Sequence, residues 1–247
     1  GQQGGERVDY SGRVLVEVRD VTHEQREIIR ALDARLMSEG ESHVAYDILI
    51  APEDLAALRK AGVRHERRDV DVAAQIEEEW ARVSTKLAAI PRDETFFDDF
   101  RPLDQIEAFL DQIVADQPDL ISKEQIGTSL EGRPIWGFTI SSAADPDAQP
   151  ALMINGGLHA REWVSPSTMC FVIDRITDAA ASDPRVATLL GNVTFYVAPL
   201  MNPDGYVFTW TNDRLWRKNR RNNGDGTFGV DLNRNFDWSF AGPGASA

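Results

Sequence analysis

The chain has 247 residues, 42% hydrophobic and 27% charged, and a net charge of −14, which supports one or two soluble domains with a sizeable core. No apolar run approaches the roughly 20 residues of a membrane-spanning helix, and so acidic a balance argues against nucleic acid as the main partner, because phosphate binding wants a basic face. A single cysteine, Cys170, rules out an internal disulfide.

Residues 13–71 read as a compact α+β unit. Arg13–Val18 alternates as a strand, and Thr22 can N-cap a helix over His23–Leu32. Arg35–Met37 is a weak strand, followed by a turn at Glu39-Gly40-Glu41-Ser42 and a strong strand over Val44–Ile50. A helix opens at Pro52 and ends at Gly62, and the charged strand Val63–Val70 suits a sheet edge. The order β-α-β-β-α-β is the ferredoxin-like pattern, which carries no function by itself. A connecting helix is expected over 72–90, with Glu77-Glu78-Glu79 on its solvated side.

A second unit begins at Phe96. Leu103–Val114 predicts an amphipathic helix with Leu103, Ile106, Phe109, Leu110, Ile113 and Val114 on one face. Ser122–Gly127 and Pro134–Ile140 predict a hairpin around Leu130-Glu131-Gly132-Arg133. Next come a buried strand from Ala151 to Asn155, a helix over Pro166–Ala180, a short helix near Val186–Leu190 and a strand over Val193–Ala198. Strands alternating with helices predict an α/β architecture with a largely parallel, mixed central sheet. Cys170 falls on the longer helix as a small buried apolar residue. Asn192-Val193-Thr194 matches a glycosylation acceptor, but so short a motif carries no weight alone.

The chemistry sits after the strand ending at Asn155. Gly156-Gly157-Leu158-His159-Ala160-Arg161-Glu162-Trp163 sets a histidine and a glutamate three residues apart at a strand's carboxyl end, where open α/β sheets place their ligands. Chance alone produces such a pair in roughly one chain in four of this composition; its context is what raises it. Imidazole plus carboxylate makes two-thirds of a His2Glu zinc site. Downstream stand Asn202-Pro203-Asp204-Gly205-Tyr206, closing the next strand, then Arg214-Leu215-Trp216-Arg217-Lys218-Asn219-Arg220-Arg221 and Gly229-Val230-Asp231-Leu232-Asn233-Arg234-Asn235-Phe236. The basic segment, in an acidic protein, fits a pocket for a carboxylate, which guanidinium groups grip in bidentate fashion.

In this order and with these gaps, the four blocks resemble the zinc carboxypeptidases of the digestive A/B type. The resemblance implies a ferredoxin-like activation (pro) domain over 13–75, which covers the active-site cleft until it is cut off. A connecting helix and activation linker over 76–95 would be cut by a trypsin-like protease at Arg82, Lys86 or Arg92, and the N-terminal half of a catalytic α/β domain would fill 96–247. It implies one Zn2+ held by His159 and Glu162, with Asp231 supporting the histidine from behind. Arg217 would polarise the scissile carbonyl, Asn233 and Arg234 would bind the substrate's terminal carboxylate, and Arg161 would touch the substrate further from its end. Trp163, Trp210 and Trp216 are read as packing residues. The expected reaction is hydrolysis of the C-terminal peptide bond of peptides and proteins by zinc-activated water. In the family the third zinc ligand (a histidine), the general base, a capping tyrosine and the specificity pocket come later in the chain. The 85 residues after Glu162 hold no histidine, so the chain alone is expected to be inactive. The start at Gly1 and the stop within 241–247 are read as signs of a piece of a longer proenzyme. Secretion is implied by the resemblance, although Gly1–Tyr10 is too polar for a signal peptide and Thr227 and Phe228 stand where animal relatives carry a disulfide. The rival reading is a non-catalytic, peptide-binding or inhibitory protein acting through its first domain.

Overall fold

The computed structural model describes residues 7–38, 44–85 and 94–237. Val8–Arg82 forms one compact unit, and the described residues from Val83 onward belong to a second.

In the first unit, β1 (Val14–Arg19), α1 (His23–Ala31), β2 (Arg35–Leu36), β3 (Ala45–Ile50), α2 (Leu55–Lys60) and β4 (Arg64–Arg67) follow one another. The strands pair antiparallel in the order β2-β3-β1-β4. Period-two alternation turns Val14, Val16 and Val18 inward, opposite Ile50, Ile48 and Tyr46 of β3. Ile29 of α1 and Leu58 of α2 close the same cluster. At the start of α1, Thr22 and Gln25 form a reciprocal capping box. A 3-10 turn over Pro52–Asp54 precedes α2, and the chain leaves it through Gly62 at φ +66°, a conformation open to glycine. β4 is shorter than the expected 63–70; it lies at the sheet edge, where exposed Arg64, Glu66 and Arg67 discourage further pairing. The turn expected at 39–42 lies outside the described residues.

α3 (Val72–Ser84) runs across the division between the units. Its expected extension to residue 90 lies outside the described residues from 86 on, as do the candidate cleavage points Lys86 and Arg92. The second unit continues with α4 (Leu103–Asp116), β5 (Ile121–Thr128), β6 (Pro134–Ile140), β7 (Ala151–Asn155), α5 (Val164–Ala180), α6 (Pro184–Leu190), β8 (Thr194–Ala198) and α7 (Pro203–Thr211). Its strands are ordered β5-β6-β8-β7. The largely parallel sheet expected from the alternation of elements is corrected here. Among the described strands only β7 and β8 pair parallel, while β5–β6 and β6–β8 are antiparallel. The link over 129–133 is too short for anything but a hairpin, and a parallel pair needs a long crossover, which α5 and α6 provide for β7 and β8. α7 was not anticipated: Asn202 and Pro203 do not merely end a strand but cap and open a helix. α4 buries Ile106, Phe109, Leu110 and Ile113, and Phe109 stacks on Phe96 with ring centroids 3.8 Å apart. No described helix is long and apolar enough to cross a membrane.

Candidate metal centre

The site begins where β7 ends. The Gly156 amide donates to Ala198 O (2.9 Å), and the Met201 and Asn202 amides donate to Gly156 O (3.0 Å) and Gly157 O (3.1 Å). These contacts draw the chain ends so close that only glycine fits. A Cβ on Gly156 would stand 2.7 Å from Met169 Cγ, and one on Gly157, which has φ +62°, would stand 2.4 Å from Leu200 Cδ1. The chain then turns, with the Glu162 amide donating to His159 O (3.2 Å), so the two side chains share one side of the turn.

His159 is 5% exposed. Its Nδ1 lies 3.0 Å from Glu162 Oε1, and its Nε2 lies 3.2 Å from Asp231 Oδ1. Arg217 closes a ring of four: Nη1 is 3.2 Å from Glu162 Oε1, and Nε is 3.0 Å from Asp231 Oδ2. A main-chain bond ties the same two segments, from the Ala160 amide to Arg217 O (3.0 Å). Asp231 is brought in by a returning segment: the Asn219 amide donates to Val230 O (3.1 Å), and Asn219 Oδ1 accepts from the Val230 amide (2.8 Å). Asp231 Oδ1 also accepts from the Asn233 amide (2.9 Å), capping a 3-10 turn over Leu232–Arg234. Asn233 and Arg234 therefore ride on the turn that Asp231 starts, and Arg161 lies between His159 and Glu162 with its carbonyl bonded by Arg214 Nη1 (2.8 Å).

Burial works against charge on Asp231, yet the hydrogen bonds from His159 and Arg217 prevail and hold its carboxyl well below the usual carboxylate range. Glu162 is also lowered: burial opposes the charge, but the bond to His159 and the nearby guanidinium groups outweigh it. Burial would lower the His159 pKa, but the two carboxylates flanking the ring raise it.

Both donors are of kinds that zinc takes. With a metal bound, a carboxylate at Nε2 would keep that nitrogen protonated and so turn Nδ1 toward the ion, fixing the tautomer and orientation of the histidine. The residues present therefore fit a zinc ion as two of its ligands. Among the described residues no group of three or more His, Cys, Asp and Glu side chains is arranged to hold a metal.

Cations of the basic segment have different partners. Arg217 is joined to Glu162 and Asp231. Arg214 stacks on Trp163 (3.7 Å to the ring centroid), and Arg220 sits over Phe208 (3.6 Å) and Trp216 (4.8 Å). Trp163 is 1% exposed, stacks on Trp210 at 4.0 Å, and donates its indole N–H to Thr209 Oγ1 (2.7 Å). Sequence reasoning assigned no role to Asn202, whose side chain meets both the His159 turn and the Arg217 segment. The available signal was an Asn-Pro pair that opens a helix.

Residues 106–247 match the family model described as zinc carboxypeptidase. Carboxypeptidase A2 of Rattus norvegicus is 32% identical over 249 residues, covering 94% of this chain and 58% of the relative. Carboxypeptidase B of Astacus astacus is 41% identical over 143 residues, covering 57% of this chain and 45% of the relative. The crystal structure of carboxypeptidase A from Helicoverpa armigera superposes with a TM-score of 0.79 at 26% identity, over 96% of this chain and 61% of that one. The chain spans about half the length of the curated relatives it matches.

Proposed function

The chain belongs to the zinc carboxypeptidase family, and we propose that its second unit supplies the first half of a site that hydrolyses the C-terminal peptide bond of peptides and proteins. The observation that carries this reading is the approach of His159 Nδ1 to Glu162 Oε1 with the ring's other nitrogen turned to Asp231. His159 and Glu162 would hold the metal, and Asp231 would fix the imidazole tautomer. Zinc bound there would supply a Lewis acid for the scissile carbonyl and a water of lowered pKa. The third protein ligand and the general base would come from outside the described residues.

Arg217 is already fixed by two carboxylates, so it can face a developing oxyanion without reorganising, which is where electrostatic stabilisation is largest. Asn233 and Arg234, one turn beyond Asp231, would bind the free carboxylate. An exopeptidase needs a cation at the point where the substrate chain stops, and a guanidinium can meet that carboxylate through two parallel bonds. Arg161 would contact the substrate further from its end.

For residues 13–75, within the first unit, we propose the role of a ferredoxin-like activation domain. Its element order and antiparallel sheet support this, as does an alignment with the rat relative that covers 94% of the chain. A trypsin-like protease would release it, with Arg82 as one candidate cleavage point, and the enzyme would act outside the cell.

Equilibrium dialysis with zinc tests the metal assignment. The chain is expected to take up zinc, and H159A and E162A are expected to lose that uptake. Uptake unchanged in both variants would sink the reading. For the longest natural form, cleavage of a peptide with a free C-terminus and sparing of its amidated counterpart is the matching expectation for the reaction.

A further inference from the structure

Asn202 is 2% exposed and occupies the N-cap of α7, where its Oδ1 accepts from the Gly205 amide (3.0 Å). Capping uses only that oxygen. The two protons on Nδ2 go elsewhere, one to Leu158 O (3.0 Å) and one to Lys218 O (3.1 Å). Leu158 immediately precedes His159, and Lys218 immediately follows Arg217. The Asn202 main-chain amide adds a bond to Gly157 O (3.1 Å). We propose that Asn202 is a positioning residue that holds the His159 turn, the Arg217 segment and the start of α7 in one register; its consequence for metal binding rests on the assignment of His159 and Glu162 as ligands.

Helix capping alone does not account for the choice of side chain, because Asp and Ser cap about as well as Asn. What Asn adds is two donors on the far side of the same short group. Aspartate has the shape but only accepts, and serine has one proton and less reach. The amide orientation is set as well, since a flipped group would turn Oδ1 toward two carbonyls and the NH2 toward an N–H. Gly205 leaves the room this requires: a Cβ there would stand 2.6 Å from Asn202 Nδ2 and 2.6 Å from Lys218 O. A glycine inside a helix is a poor helix former, and the close approach of Asn202 is the reason for it here. Displacing either segment by a fraction of an ångström would spread the donors of the ring of four.

The test uses the whole chain carrying N202D, N202S or G205A, with T177V as the control. Thr177 is also buried, and its hydroxyl donates within α5 to Ile173 O (2.9 Å). Two readouts are taken where each variant remains folded by circular dichroism: zinc affinity, and hydrogen exchange of the Ala160 amide, which bridges to Arg217 O. N202D and G205A are expected to weaken zinc binding by about tenfold or more, the scale of losing a supporting contact, and to speed exchange at Ala160 by a similar factor. T177V is expected to leave both within twofold, whatever it does to the melting temperature. The proposal falls if N202D leaves exchange at Ala160 within twofold of the parent chain, or if T177V shifts it as much. If zinc uptake is the same in the parent chain and in H159A, the metal assignment fails separately, and exchange at Ala160 alone decides the positioning role.

Discussion

Residues 8–82 and the end of β7 solve opposite problems. The first unit is held by aliphatic side chains that alternate along β1 and β3 and close over Ile29 and Leu58. The strand end in the second unit is held by polar groups and glycine: Asn202, the ring of His159, Glu162, Arg217 and Asp231, and two glycines that admit no Cβ. An apolar cluster punishes lost volume but accepts exchange among residues of similar size. A hydrogen-bonded corner punishes changed chemistry even when volume is kept, because a buried donor or acceptor left unmatched costs its full desolvation.

The largest expected effect tests the apolar side. Leu58→Ala should cost about 2–5 kcal/mol in denaturant unfolding of residues 8–82 while leaving zinc affinity of the chain unchanged; a change in affinity would break the contrast. On the polar side, Asp231→Asn keeps shape but should lower zinc affinity about 10- to 100-fold, read by chelator competition. Gly157→Ala, at φ +62° and against Leu200, should destabilise the second unit by more than about 1 kcal/mol, a cost measurable by its melting temperature. Thr22→Ala removes one half of a capping box and should cost about 1 kcal/mol in unfolding of the first unit. The smallest effect is none. Burial pushes the Cys170 thiol up to about 12, so the native chain should resist alkylation at pH 8 and react only on unfolding. The sign follows from the raised value: the native state keeps its thiol proton above the ordinary range, and that contribution to stability is lost only as pH rises toward 12.

Much of the first unit was legible because its signals are local. Alternation in Val14–Val18, a Thr22 cap and a Pro52 start are each read within a few residues. The His159–Glu162 pair was legible for the same reason, as a spacing at a strand end. Less legible was the sheet of the second unit, where β6 and β8 pair antiparallel across a long intervening segment whose return direction no local signal sets. The partners of the basic segment were also not legible. Its cations are neighbours in sequence but have different partners in space, with Arg214 on Trp163, Arg217 on Glu162 and Asp231, and Arg220 on aromatic rings.

The amino-acid sequence alone determined the motifs, their order and the kinds of donor they offer, since residue identity and short spacing are covalent facts. Tertiary structure decided that Asp231 meets His159 across 72 positions, that Arg217 is the cation of the ring, and that Asn202 joins the His159 turn to the Arg217 segment. Those outcomes depend on β7 and β8 running side by side, so that loops distant along the chain leave the sheet at the same end. No local propensity encodes that meeting, because the hydrogen bonds that fix it exist only once the sheet has formed.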